Sequence, residues 1–275
     1  MTTIHTNPGA MVAVATLRNA TIALDKVSKQ IQTGYKVADA KDDASTFAVA
    51  QGLRGNVKQL AAVQQGLAGA VGLAEVALAG ATSVSNLFAD IKAKLTQLAD
   101  TSISATQRTT YAADLKSLAD QSKNLVKQAK FNGTNMLDNT TTLNFIADTV
   151  GSNISMTGVQ VLTSSSVFAA SVAGAITATL ARTMLNSSSA TLNSFVTATN
   201  SALSGISGNL RSIESQSNFT RSIADATENG LGALVDADLA KASSKLQALQ
   251  AQQQLATQAI TIANQAPTVL LSLFR

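Results

Sequence analysis

Residues 239–263 read Leu239-Ala-Lys-Ala242-Ser-Ser-Lys-Leu246-Gln-Ala-Leu249-Gln-Ala-Gln-Gln253-Gln-Leu255-Ala256-Thr-Gln-Ala-Ile260-Thr-Ile-Ala263. Leu239, Ala242, Leu246, Leu249, Gln253, Ala256, Ile260 and Ala263 recur at steps of three and four, the register of a two-helix coil. Gln253 is the one large polar residue on that stripe, and such a residue fixes register at some cost in stability. Pro267 is expected to close the run, because proline has no N–H to give a helix interior. Near the other end, Leu17, Ala20, Leu24, Val27 and Ile31 keep the same alternation. Asp25, Lys26 and Lys29 fall off that stripe, and Gly34 stands where a helix C-terminal glycine belongs. A helix with one narrow apolar stripe is marginal alone. The two stripes therefore predict that the chain's ends pair with each other, or with neighbouring copies.

Between the stripes the chain is free of proline, since Pro8 and Pro267 are the only two. That permits very long helices, and the patterning predicts them over roughly 43–98, 105–129 and 185–229. In the second, Tyr111, Leu115, Leu118, Ser122, Leu125 and Ala129 share one face. Asp42 and Asp43 are expected to begin a helix, where carboxylates accept backbone N–H groups and complement the dipole. Gly66, Gly69 and Gly72 are expected to allow close helix packing. From Asn139 to Ser166 the pattern changes to Thr runs and short alternations, Leu143-Asn-Phe145 and Ile154-Ser-Met156. Gly151-Ser-Asn153 is placed to turn between them. The expected fold is mainly α, with long antiparallel coiled-coil helices from paired N- and C-termini and a small β-hairpin insert flanked by Ser/Thr-rich linkers.

Composition narrows the chemistry. Of 275 residues, 45% are apolar but only 13% charged and 4% aromatic, with no Cys, no Trp and a single histidine, His5. A thiolate metal site, a disulfide scaffold, a Cys nucleophile and a multi-histidine site are all excluded. His5 reads as a solvated side chain. The nucleophile-elbow, phosphate-loop, dinucleotide and zinc-protease signatures are absent, so the reading is a protein that is not an enzyme and carries no cofactor or metal. The acid pairs Asp42/Asp43 and Asp236/Asp238 are read as structural. A net charge of +4 and a pI near 9.4 come from scattered Lys and Arg on solvated faces, so no nucleic-acid partner is expected. Residues 66–89 and 149–181 are poor in charge, yet they are diluted by small and hydroxyl residues, and no membrane insertion is expected. The first residues show neither a basic nor an apolar leader segment.

The two ends together closely resemble bacterial flagellin. Gln32-Thr-Gly-Tyr-Lys-Val-Ala-Asp-Ala-Lys-Asp-Asp-Ala44 is similar to that family's A-x-D-D-A stretch, Ala74-Glu-Val-Ala-Leu78 to its AEGAL segment, and Phe131-Asn-Gly133 to its FNG turn. Gly232-Ala-Leu-Val-Asp-Ala-Asp238 resembles the GALVDADMA motif, and Ile262-Ala-Asn-Gln-Ala-Pro267 and the closing Leu270-Leu-Ser-Leu-Phe-Arg275 follow it. Asp42, Asp43, Asp236, Asp238 and Asn264 are the polar residues that carry the match. It covers about the first 140 and the last 50 residues.

The resemblance implies a subunit that polymerises into the extracellular flagellar filament for swimming. Its export would pass through the flagellar apparatus with a chaperone and without a cleaved signal peptide, and its partners would be its own copies, other flagellins, the filament cap and hook-associated proteins. It also implies three parts: 1–40 with 235–275 as a terminal coiled-coil core, 41–138 with 186–234 as a helical inner domain, and 139–185 as a short surface-exposed insert. The self-assembly seam would comprise Leu17, Leu24, Val27, Ile31, Leu239, Leu246, Leu249 and Ile260. Ile91-Lys-Ala-Lys-Leu-Thr-Gln-Leu98 lacks the arginines and glutamate of the family's LQRVREL helix, so weak recognition by the innate flagellin receptor is expected. Two alternatives are a hook-filament junction protein with flagellin-like ends and an amphipathic lipid-surface-binding protein. The second would want basic polar faces and aromatic anchors, both scarce here.

Overall fold

A computed structural model describes residues 6–186 and 190–272. His5 and Ser187 to Ser189 lie outside the described residues. Within them run α1 (Pro8–Thr33), α2 (Ala44–Ala99), α3 (Ala105–Gln128), the strands β1 (Thr142–Ile146) and β2 (Asn153–Thr157), then α4 (Val161–Ser171), α5 (Ala178–Leu185), α6 (Ala190–Val235) and α7 (Leu239–Ser272). The chain divides into two compact units, residues 1–57 with 225–275 and residues 58–224.

Local chemistry sets most helix ends. Asn7 caps α1 through its side chain, with Pro8 just inside the first turn, and Gly34 ends the helix in the left-handed region at φ 73°, its N–H bonded to the Gln30 carbonyl. Ser104 and Gln107 form a reciprocal capping box at the start of α3. At the end of α2, Arg108 donates to the carbonyls of Leu98 (2.6 Å) and Asp100 (2.7 Å), and Arg182 donates to that of Ala99 (3.0 Å). These two guanidiniums satisfy carbonyls that helix geometry leaves open.

In the unit formed by 58–224, the apolar face of α2 packs against α3, α4, α5 and α6, with Leu73, Ala77, Val84, Ile91 and Leu95 all buried. Much of α2 is long and apolar enough by itself to cross a membrane, and in the structure that face is core. Leu115, Ala119, Ser122 and Val126 of α3 face the same core, and the Ser122 hydroxyl donates back to the Ala119 carbonyl at 2.7 Å. At the centre the Phe195 ring meets Phe88 edge-on at 5.0 Å and Phe168 in a stack at 5.9 Å. Gly80 is required by this packing, because a Cβ there would sit 2.7 Å from the Cβ of Ala129. Gly72 meets the Phe131 ring, whereas Gly66 and Gly69 have nothing within 4 Å of a Cβ. Those two glycines therefore do not serve the close packing expected of them.

The expected hairpin forms, with Leu143 opposite Met156 and Phe145 opposite Ile154. These four residues turn to the core face of the two-stranded sheet, as strand alternation requires. The Asp148 carboxylate accepts the N–H groups of Val150 and Ser152, both at 2.8 Å, and Gly151 supplies a φ of 96°. Gln216 of α6 donates to the Ala147 carbonyl at 2.8 Å, tying the turn to the helix. After the hairpin the structure departs from the reading. The stretch taken as a Ser/Thr-rich linker is α4, and Ser165 within it is fully buried. Val161, Phe168, Ala169 and Val172 lie on one helical face and bury in the core, which outweighs the low helix propensity of a serine run.

In the other unit, α1 and α7 lie antiparallel. Asn7 meets Ala263 at one end and Gly34 meets Ala237 at the other. Contrary to expectation, α7 does not stop at Pro267 but continues to Ser272. A proline at that position gives up one helical hydrogen bond, the one from residue 267 to the Ala263 carbonyl, and Asn7 supplies a donor to that oxygen.

Candidate assembly interface

The stripes read from the sequence meet in the structure. Val27, Ala242 and Leu249 are buried together, with Ala23, Leu24, Ile31 and Leu246 packed against them. Along the same pair, Ala20 and Ala256 are buried, while Leu17, Gln253, Ile260 and Ala263 are half-buried. Leu239 is the exception: it is 51% exposed. As the first residue of α7 it lies where α1 has already given way to the Gly34 turn, so the buried stripe begins at Ala242.

Of the five buried residues of this seam, three (Ala20, Ala242 and Ala256) are alanine, which packs closely but removes little apolar surface from water. Other large apolar residues of the same helices point elsewhere. Met11, Val12, Val14 and Ile22 of α1 and Leu255 and Ile262 of α7 are all more than half exposed. A groove between α1 and α7, lined by Thr16, Ala20, Ala23, Leu249, Leu255 and Ala259, runs along the pair. Two helices with one thin seam and apolar outer faces form an incomplete bundle.

The polar motif residues converge on the junction where α1 passes to α2 and α6 passes to α7. Tyr35 and Asp236 form an antiparallel bridge, with the Lys36 N–H on the Val235 carbonyl at 2.7 Å and the Ala237 N–H on the Gly34 carbonyl at 2.8 Å. Val37, Ala50 and Val235 bury together beneath it. The paired acids have different tasks. Asp43 caps α2, accepting the N–H groups of Ser45 and Thr46, both at 3.1 Å, and both of their hydroxyls. Those bonds, the Thr46 hydroxyl first, hold its carboxyl down to about 2. Asp42 does not cap the helix. It accepts the Ala38 N–H (3.2 Å) and the Lys29 ammonium (3.2 Å), folding the connection back onto α1. Partial burial opposes its charge, yet these bonds still lower its pKa. Lys29 also pairs with Asp39 at 2.5 Å, which raises the lysine and lowers the acid.

Asp238 caps α7, its carboxylate accepting the Lys241 N–H at 3.0 Å. Asp236 is exposed, and its carboxylate stands so close to Gly232 that a Cβ at that position would lie 2.8 Å from it. Asn264 is exposed on α7. Sequence reasoning missed Asn7, which caps α1 and reaches Ala263 across the pair. The Asn-Pro-Gly opening was the available signal, since Asn before Pro is a helix start.

Two motifs some 200 residues apart thus build one junction. The family model for the bacterial flagellin N-terminal helical region matches residues 4–142, and that for the C-terminal helical region matches residues 190–274. The chain belongs to the bacterial flagellins. It is 35% identical to Flagellin FljM of Caulobacter vibrioides over its whole length and 99% of that protein, and 36% identical to Flagellin FljK of the same organism with the same coverage. It is 31% identical to a flagellin of Brucella melitensis over the full length of both. Flagellins are structural subunits of the extracellular flagellar filament, and nothing in these matches favours the hook-associated alternative.

Proposed function

We propose that the paired termini are the part of this filament subunit that neighbouring copies cover. The observation that carries this is the mismatch on α1 and α7: a thin seam inside, three of its five buried residues alanine, and Met11, Val12, Val14, Ile22, Leu255 and Ile262 outside. Stacking of copies supplies the apolar contact area that one molecule lacks, so ordering of the ends is coupled to binding. Leu17, Leu24, Val27, Ile31, Leu246, Leu249 and Ile260 hold the pair together, and Leu239 lies free to meet a neighbour. On this reading 1–40 with 235–275 form the filament core, 41–138 with 186–234 the helical inner domain, and 139–185 the surface insert, whose hairpin tip carries Val150 at 91% exposure.

The subunit does no chemistry of its own. It leaves the cell through the flagellar export apparatus without a cleaved signal peptide, its C-terminal stretch held by a chaperone, and adds beneath the cap of a filament that starts at hook-associated proteins. Co-assembly with other flagellins fits the several closely similar Caulobacter proteins. Recognition by the innate flagellin receptor should be weak. Ile91, Leu95 and Leu98 of the corresponding stretch are buried in the core, and the residues between them lack the arginines and glutamate of the family helix. Negative-stain microscopy of purified protein before and after salt-induced polymerisation tests the central reading. Long helical filaments are expected, and protein that stays monomeric under every polymerising condition rejects it.

A further inference from the structure

The sequence has five methionines. Met136, Met156 and Met184 are buried in the unit formed by 58–224, Met1 lies outside the described residues, and Met11 is 68% exposed on the outer face of α1. One helical turn or so along that face come Val14 and, further on, Ile22, both more than half exposed. The thioether of Met11 thus stands on an apolar surface that the subunit reading assigns to a neighbouring copy, and that the described residues leave exposed.

We infer that Met11 is an oxidation-sensitive site that controls entry of the subunit into the filament, an inference that rests on the assembly reading above. The reaction is a two-electron oxygen transfer from a peroxide. The sulfur lone pair attacks the distal peroxide oxygen, the O–O bond breaks, an S–O bond forms, and the other oxygen leaves as water once it has taken up the migrating proton. Sulfur is oxidised and peroxide reduced. The product carries a strongly polar, hydrogen-bond-accepting oxygen in place of an apolar, polarisable sulfur. On the free subunit that oxygen is solvated at no cost. Under a neighbouring apolar face it has no donor, and burying an unpaired polar group opposes association. Burial in the finished filament would in turn shield the thioether, so the modification discriminates against free subunits. The three core methionines have no such access.

The test is a partition experiment. Purified full-length protein is oxidised with hydrogen peroxide until about half of Met11 is sulfoxide, then polymerised, and pellet and supernatant are compared by peptide mass spectrometry. Sulfoxide at Met11 should be enriched at least tenfold in the supernatant, and preformed filaments should oxidise at Met11 at least tenfold more slowly than monomer. Equal partition overturns the inference while leaving the subunit reading intact. Protein that never polymerises even without peroxide overturns both. As a second measurement, whatever critical concentration Met11→Leu shows, it should be the same with and without peroxide, whereas the unsubstituted protein's should rise at least tenfold once peroxide has converted Met11 completely. A similar rise in Met11→Leu would assign the effect to another residue and overturn the inference.

Discussion

The side-chain amide of Asn7 donates to the Ala263 carbonyl at 2.7 Å, and that oxygen is the one that Pro267 deprives of its helical partner. The same side chain accepts the Ala10 N–H at 3.1 Å to cap α1. One residue thus begins one helix and repairs its antiparallel neighbour. Asn7→Ala should lower filament stability by about 1–2 kcal/mol, a lost cap together with an unpaired carbonyl. In a Pro267→Ala background, residue 267 has its own N–H for Ala263, so the same change should cost only the cap. Thermal depolymerisation of the four proteins gives the cycle. Equal losses in both backgrounds would show that the carbonyl bond is worth nothing.

Gly80 and Gly66 sit on the same helix with opposite demands. A methyl at Gly80 collides with Ala129 and presses on Leu137, while one at Gly66 meets nothing. Gly80→Ala should destabilise by about 1–3 kcal/mol through overpacking. Gly66→Ala should stabilise by about 0.5–1 kcal/mol, because it removes glycine's excess freedom from a helix interior. Denaturant midpoints of the two variants should move in opposite directions.

What the sequence could reveal followed the periodicity of its apolar residues. The stripe from Ala242 to Ala263 and the alternations Leu143-Asn-Phe145 and Ile154-Ser-Met156 were readable because each repeats with the geometry of its element. Leu239 broke the pattern because a stripe does not say where the partner helix stops. The helix α4 was hidden by Thr163-Ser-Ser-Ser166, whose local preference is overridden by Phe168 stacking on Phe195. Pro267 misled for a related reason, since its lost bond is made good by a residue 260 positions away. The two aspartates at the head of α2 looked interchangeable, and only the fold around Lys29 separates the clamp Asp42 from the cap Asp43.

That separation predicts a pH dependence. Asp43 is held at about 2, below the ordinary carboxylate value near 3.8. A depressed carboxylate stabilises the fold fully above its unfolded value, and the contribution disappears as pH falls through the folded one. The start of α2 should therefore lose order between about pH 4 and 2, read as hydrogen-exchange protection at Ser45 and Thr46. Asp43→Asn retains an acceptor oxygen but has no proton to gain, so its protection should be flat across that window. Lys29 works at the other extreme. Its raised pKa keeps the pair with Asp39 intact through neutral pH, and the contribution is lost only as pH climbs through that raised value.

The seam itself is tested by charge. Leu249 is 8% exposed between α1 and α7, and Leu246 packs beside it. An aspartate at either position loses the apolar burial and places a carboxylate in the apolar cluster of Val27, Leu24 and Ile31. The cost is about 3 kcal/mol or more, which a pair held by one thin seam cannot absorb. Leu246→Asp and Leu249→Asp should abolish filaments in a sedimentation assay. The unit formed by 58–224 has its own large core, so it should still melt cooperatively in both variants. Leu239→Asp, at an exposed position, should leave exchange protection along α1 and α7 closer to that of the parent. Normal filaments from both core variants would mean that the α1–α7 seam does not hold the subunit together.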